Sequence, residues 1–84
     1  MMLRVLYFAS LREALGRAEE QLPLPTPANV NALVDALRAR GGVWSSALAA
    51  DKRWRVAVNQ DMVAVDAPLH AGDEVAIFPP VTGG

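Results

Sequence analysis

The sequence predicts an α+β fold: a mixed sheet of about five strands with one main helix and short helical turns. The chain has 84 residues, of which 52% are hydrophobic and 20% charged, enough apolar side chains for the core of one domain. Five short segments carry strand patterns, and one longer segment repeats its apolar residues with the period of a helix. A single helix laid across strands that precede and follow it along the chain is typical of an α+β arrangement.

The first third of the chain predicts a strand, a short helix and a second strand. Residues 2–9 are almost all apolar, which favours a strand in mid-sheet that is covered on both faces. Ser10 begins a sequence that fits a capping box, and Gly16 ends the short helix that follows. Residues 18–24 are interpreted as a second strand at an edge of the sheet, because Pro23 donates no hydrogen bond to a neighbouring strand.

The main helix lies within residues 26–42. Its apolar side chains recur at i, i+3, i+4 and i+7 and form one stripe, consisting of Val30, Leu33, Val34 and Leu37. Either Thr26 or Asn29 can cap its start, and Gly41 and Gly42 follow its end. That glycine pair follows a helix instead of leading into one, so it is not a phosphate-binding loop. Residues 43–49 add a short helical turn.

The last third predicts a hairpin and a final strand. Residues 54–59 alternate apolar and polar side chains, as a half-buried strand does. After a turn at residues 59–61 the second arm returns over residues 62–65. A loop over residues 66–73 leads to the last strand, residues 74–79, which ends because proline cannot donate a ladder hydrogen bond. This order of elements suggests the β-grasp architecture seen in ubiquitin, with a domain over residues 1–78 and an extended, flexible tail over residues 79–84.

Composition excludes several classes of function. The net charge is −1 and no basic stripe is present, so we expect no nucleic-acid partner. The chain has no cysteine and one histidine, so we expect no disulfide and no metal site. No apolar run approaches a membrane span, and the first residues are unlike a signal peptide. The expectation is a cytoplasmic, soluble domain without membrane contact.

The side chains offer no convincing active site. His70 with Ser10, Ser45 or Ser46 and an aspartate could form a triad, but its polar loop favours a solvated histidine. Two acidic pairs, Glu19-Glu20 and Asp73-Glu74, place neighbouring carboxylates on opposite sides of a strand, so they do not converge on a substrate.

The segment "FPPVTGG", residues 78–84, is the strongest candidate for function. Two prolines favour a stiff, extended exit from the last strand, and β-branched residues followed by glycines keep the end slim. Six extended residues reach about 20 Å, so this tail could deliver its carboxylate into a narrow cleft.

A carboxylate needs activation, most simply as an acyl-adenylate. Because this chain has no ATP-binding motif, a partner enzyme must use the ATP. The adenylate could then react with an amine or with a sulfur donor.

Three stretches, "VLYFASLREALG", "AVNQ" and "GDEVAIFPPVTGG", closely resemble the MoaD-type sulfur carriers, the small subunits of molybdopterin synthase in the ubiquitin-like MoaD/ThiS superfamily. The resemblance implies a ubiquitin-like β-grasp fold. It implies that an adenylating enzyme of the MoeB type activates the C-terminus, which becomes a thiocarboxylate through a sulfur donor system. Sulfur then passes to cyclic pyranopterin monophosphate and forms the molybdopterin dithiolene. It further implies a heterotetramer, catalytic side chains on the large subunit, and no cofactor bound by this chain.

The same resemblance assigns roles to individual residues. Gly84 carries the adenylate and the thiocarboxylate, and the inserted tail is Pro79, Pro80, Val81, Thr82 and Gly83. Phe8, Met62 and Phe78 match a partner-facing surface, with ordinary core packing as the alternative. Arg12 pairs with an acidic partner or lies on a solvated helix face.

Three other functions stay open. A sulfur carrier for thiamine or for tRNA thiolation would use the same chemistry for another product. A ubiquitin-like protein modifier would form isopeptide bonds, for which the chain offers a single lysine of its own, Lys52. A plain interaction module would need neither sulfur transfer nor isopeptide bonds.

Overall fold

A computed structural model describes residues 2–49 and 52–79, and it confirms the predicted α+β fold. The elements in chain order are β1 (Met2–Tyr7), α1 (Ala9–Leu15), β2 (Glu19–Pro23), α2 (Val30–Arg38), α3 (Val43–Ala47), β3 (Arg55–Val58), β4 (Asp61–Val63) and β5 (Glu74–Phe78). The five strands form one sheet in the order β2-β1-β5-β3-β4. Among the helices of the described residues, none is long and apolar enough to span a membrane.

The sheet is mixed because its first and last strands run side by side in the same direction. β1 pairs in parallel with β5 and antiparallel with β2. β3 pairs antiparallel with both β4 and β5. β5 therefore lies at the centre, and both β1 and β5 end at the same edge of the molecule. This is the topology of the predicted β-grasp.

One face of the sheet, here the core face, packs against the helices. Side chains alternate between the two faces of each strand, and those that face inward join the buried residues of α1 and α2. The core consists of Leu3, Val5, Tyr7, Leu11, Leu15, Val30, Leu33, Val34, Leu37, Leu48, Val56, Leu69, Val75 and Ile77. All four residues of the predicted α2 stripe are among them, and so is Leu69 from the predicted loop.

The prediction for the first strand was wrong in two respects. β1 ends at Tyr7, and Met2 and Arg4 are exposed while Leu3 and Val5 are buried. The strand is thus covered on one face only, because the helices pack on the core face alone. Arg4 stays in solvent on the other face, where it forms an ion pair with Glu19.

The predicted capping box of α1 was also wrong. The helix begins at Ala9, and its N-cap is Phe8, which has no side-chain cap hydrogen bond. The backbone N–H of Phe8 donates to the Ile77 carbonyl (3.2 Å), so the chain follows β5 up to this residue. It then turns at Ala9, whose φ is 52°, and Ser10 already lies inside the helix. Gly16 ends α1 in the left-handed conformation, as predicted.

Of the two caps proposed for α2, the structure uses Asn29. Its side-chain oxygen accepts a hydrogen bond from the Ala32 N–H at 2.8 Å. Beyond the helix, Gly41 and Gly42 have φ values of 77° and 57° and turn the chain. Gly42 is also the N-cap of α3, so the prediction that the glycine pair only follows a helix was incomplete. With five residues, α3 is too short to form an anion site.

β2 lies at an edge of the sheet, as predicted from Pro23. The hairpin turn lies at Asn59 and Gln60, and the returning strand, β4, is shorter than the predicted 62–65. It ends at Val63, which lies opposite Val56 of β3.

Candidate functional site

The face of the sheet opposite the helices, here the outer face, carries an exposed apolar surface. A row of small and apolar side chains crosses four strands through the register pairs Met62–Ala57, Ala57–Ala76 and Ala76–Leu6. Ala57 and Ala76 are only 4% and 7% exposed, whereas Met62 is 56% exposed. The outer face therefore has a low, flat centre, and larger apolar side chains project around it.

Phe8 and Phe78 meet where β1 and β5 end. Their rings are stacked, with centroids 4.8 Å apart and planes inclined by 11°. Phe8 is 38% exposed and Phe78 is half-buried. Phe8 is therefore not an ordinary core residue. The contact of Phe8 with a partner stays a prediction.

Met62 projects from β4 just after the hairpin turn. It lines an open cavity of about 340 Å³, together with residues at the start of β3 and residues that directly follow β4. The lining is completed by Trp54, Arg55, Val56, Val63, Ala64 and Val65. Met62 is adaptable in shape because it has three rotatable bonds and a polarizable sulfur. That Met62 contacts a partner stays a prediction.

Arg12 lies one helical turn beyond Phe8, since its backbone N–H donates to the Phe8 carbonyl at 3.4 Å. Its side chain is exposed. Within residues 2–49 and 52–79 no ion pair uses it. Both interpretations of Arg12, an acidic partner or a solvated face, stay open.

The outgoing segment begins at Pro79, which directly follows β5 and is half-buried. The rest of the predicted tail lies outside the described residues, namely Pro80, Val81, Thr82, Gly83 and Gly84. The predicted division between a domain over residues 1–78 and a tail over residues 79–84 accordingly stays a prediction.

Acidic groups elsewhere on the outer face are already paired. Arg4 Nε donates to Glu19 Oε2 at 2.8 Å, and Arg4 Nη1 lies 3.6 Å from Glu74 Oε1. The hydrogen bond from Arg4 is the main reason that the pKa of Glu19 lies below its usual value, and the charge of Arg4 adds to it. One arginine faces two carboxylates here, so this end of the face keeps a net charge of −1.

The structure gives His70 a solvated position. Its side chain is 79% exposed, and the imidazole Nδ1 lies 3.8 Å from Asp73 Oδ2. Asp73 accepts hydrogen bonds from the Asn59 side chain and from the His70 backbone N–H, which lower its pKa. Ser46 donates to backbone carbonyls of its own helix. Among residues 2–49 and 52–79, no three acidic or histidine side chains are placed to hold a metal ion.

One outer-face residue was missed in the sequence. Arg55 lines the cavity beside Met62 and faces Phe78 across the β3–β5 ladder. The signal was present, because the alternation that turns Val56 and Val58 inward turns Arg55 outward. It was overlooked because arginine at an exposed strand position is usually only solvated.

The sequence model of the ThiS family matches residues 5–84, which include both ends of the outer face and the whole predicted tail. The chain belongs to the ThiS family. The prediction of a MoaD/ThiS-type protein is confirmed.

Named relatives cover almost the whole of this ThiS-family chain. The molybdopterin synthase sulfur carrier subunit of Escherichia coli (strain K12) is 45% identical over 83 residues, which are 99% of this chain and 100% of that protein. The subunit of the same name from Haemophilus influenzae is 41% identical over the same shares of both chains.

A solved structure supports the fold independently. The crystal structure of small archaeal modifier protein 1 from H. volcanii matches with a TM-score of 0.81 at 28% identity, over 95% of this chain and 98% of that chain. The predicted ubiquitin-like β-grasp fold is thereby confirmed.

Proposed function

We propose that this chain is the sulfur carrier subunit of a molybdopterin synthase. The observation that carries the proposal is the full-length match to relatives of that name, at up to 45% identity. The family match extends through Gly84, the residue to which the proposal assigns the chemistry. The exposed outer face, next to the point where β5 ends, supports it further.

The proposed chemistry takes place at the carboxylate of Gly84. A carboxylate oxygen attacks the α-phosphorus of ATP, pyrophosphate leaves, and an acyl-adenylate forms. A sulfur nucleophile at the oxidation level of sulfide then attacks the carbonyl carbon, and AMP leaves. The resulting thiocarboxylate carries a nucleophilic sulfur for cyclic pyranopterin monophosphate, which becomes the dithiolene of molybdopterin. Glycine suits this position because it has no side chain to obstruct a closely fitting active site.

Two partners follow from this chemistry. An adenylating enzyme of the MoeB type would hold the ATP, so this chain would need no cofactor of its own. The large synthase subunit would bind to the outer face and contact Phe8, Met62 and Phe78, with Arg12 at the rim of the interface. Residues 79–83 would then reach its active site, and two copies of each subunit would form a heterotetramer. Because the activation uses ATP, we place the protein in the cytoplasm.

The decisive experiment is the mass of the protein after incubation with the activating enzyme, ATP and a sulfur source. We expect the mass gain of one oxygen-to-sulfur exchange, located at Gly84. A variant that lacks Gly84, and another with one residue added after it, should show no exchange and unchanged thermal unfolding. Adding the large subunit and the pterin precursor should then yield molybdopterin. Exchange without molybdopterin would point to another sulfur acceptor, such as one for thiamine or tRNA.

A second candidate, a protein modifier, is favoured by the match to small archaeal modifier protein 1. The activated Gly84 would then form an isopeptide bond with a lysine amine, and AMP would leave. The same incubation, performed with a cell extract, distinguishes the two functions. Covalent adducts at lysines of other proteins would favour the modifier, whereas thiocarboxylate formation without adducts would favour the carrier.

A further inference from the structure

Arg55 lies between the two apolar groups of the outer face. On one side its register partner is Phe78, which stacks on Phe8. On the other side it lines the cavity of about 340 Å³ that Met62 also lines. A protein that covers both Phe78 and Met62 must therefore cover the Arg55 side chain as well.

The charge of Arg55 is not neutralised by the described part of the protein. Ion pairs within residues 2–49 and 52–79 use four other arginines, and none uses Arg55 or the nearby Arg53. The acids that pair on the outer face, Glu19 and Glu74, are held by Arg4. Glu74 is four residues from Phe78 along β5, which is about 13 Å. One arginine against two carboxylates leaves the Arg4 end of the face with a net charge of −1, whereas the Arg55 end is cationic.

A guanidinium in this setting selects for a carboxylate. An uncharged surface that covered the guanidinium would remove its water and offer no hydrogen-bond acceptor of opposite charge. This would cost binding free energy. A carboxylate can instead accept two parallel hydrogen bonds from it. Arginine is for this reason frequent among the residues that dominate binding at protein interfaces.

We propose that Arg55 pairs with a carboxylate on the large synthase subunit, in the part of the interface that covers the cavity beside Met62. This inference rests on the proposed function, because it takes the large subunit as the occupant of the outer face. Arg55 is then a specificity residue of the interface: it favours an acidic partner surface and discriminates against a neutral or basic one.

The test measures binding of the full chain to the purified large subunit at low and high salt. Arg55→Gln should weaken binding at least about tenfold at low salt and reduce the salt dependence of the association rate, and Arg55→Glu should weaken it further. The matched control is Asn31→Asp, which gives the same net charge as Arg55→Gln. Asn31 is exposed on α2, on the opposite side of the sheet, so binding should stay at the wild-type level.

The carboxylate itself can be located by charge reversal. Acidic residues of the large subunit are changed to lysine one at a time and combined with Arg55→Glu, and one such change should restore the affinity. Unchanged affinity and salt dependence for Arg55→Gln, or restoration by none of the lysine changes, would overturn the inference and leave the proposed function intact. If the wild-type chain itself did not bind the large subunit, the proposed function would fail, and this inference with it.

Discussion

Phe8 and Phe78 stack at the edge of the outer face where β5 ends, and Phe8 remains 38% exposed. With Phe78 half-buried, the pair still leaves apolar surface in water that a partner could cover. It is well placed for binding, since aromatic residues bury a large area with little loss of side-chain freedom.

We expect Phe8→Ala to weaken binding to the large subunit by about 10- to 100-fold, or about 1.4–2.7 kcal/mol, the range of a residue that dominates an interface. The control is Val43→Ala, because Val43 is similarly exposed (42%) but lies on α3. Titration calorimetry would measure both variants. Equal affinities for the two variants would show that the stacked pair is not part of the interface.

Glu20 is the centre of a polar cluster at the rim of the core. Tyr7 Oη donates to Glu20 Oε2 at 2.6 Å, and two nitrogens of Arg40 donate to its oxygens at 2.9 and 3.0 Å. Arg40 also lies over the ring of Trp44, 4.4 Å from its centroid. Burial acts most strongly on the pKa of Glu20 and raises it. The hydrogen bonds from Arg40 and Tyr7, together with the charges of Arg40 and Arg17, outweigh this effect, and the pKa is lowered.

This lowered pKa predicts a loss of stability in acid. A carboxyl group with a depressed pKa in the folded state stabilises the protein above its unfolded-state pKa of about 4.3, and the stabilisation is lost as the pH falls through the folded-state pKa. Glu20→Gln should therefore unfold more easily at pH 7 and lose less stability between neutral pH and acid. Urea unfolding at several pH values measures this, with Glu13→Gln, an exposed change on α1, as the control. Parallel pH profiles for Glu20→Gln and wild type would contradict it.

At the scale of elements, the β3–β4 hairpin depends on a turn that its sequence fits only in part. Asn59 and Gln60 both have positive φ, 51° and 74°, as a primed two-residue turn requires. Asn59 is suited to this, and its side chain also donates to Asp73 and accepts from the Glu74 N–H. Gln60 is less suited, because its Cβ disfavours the left-handed region.

Gln60→Gly should therefore stabilise the protein by up to about 1 kcal/mol, since glycine adopts positive φ without that penalty. Gln60→Val should destabilise it, because β-branched residues are the least tolerant of this region. Thermal unfolding of both variants would show opposite shifts of the midpoint. If both variants shifted the midpoint in the same direction, the conformation of Gln60 would not be the cause.

Elements whose pattern depends only on the core could be predicted from the sequence, and elements fixed by long-range contacts could not. The α2 stripe reflects the helical period, and all four of its residues are buried. The start of α1 was predicted wrongly because the hydrogen bond from Phe8 to β5 holds the chain extended past the position that the Ser10 pattern suggests. No local pattern contains that contact.

At the scale of the whole molecule, the proposed function assigns folding and recognition to opposite faces of one sheet. The core face packs on α1 and α2, whereas Phe8, Met62 and Arg55 lie on the outer face. Alternation along β3 predicted which of its side chains point outward. It could not show that Arg55 and Met62 line one cavity, because the β3–β4 register and the path of the chain after β4 determine that arrangement.

The separation of the two faces predicts that stability and affinity can be changed independently. Leu33 is 2% exposed within the α2 stripe, so Leu33→Ala should lower the unfolding free energy by about 2–5 kcal/mol. This is a large share of the 5–15 kcal/mol that is typical of a domain. Affinity for the large subunit, measured at a temperature well below the unfolding midpoint, should nevertheless match wild type.

Phe8→Ala should show the opposite pattern, a weak complex formed by a protein that loses less stability than Leu33→Ala, because Phe8 is partly exposed. Unfolding and binding are measured on the same preparations, and circular dichroism confirms that each variant is folded under the binding conditions. A fall in affinity for Leu33→Ala while the chain is still folded would mean that core packing positions the outer face. The sheet would then transmit changes from one face to the other, because a closely packed core relaxes only partly around a cavity.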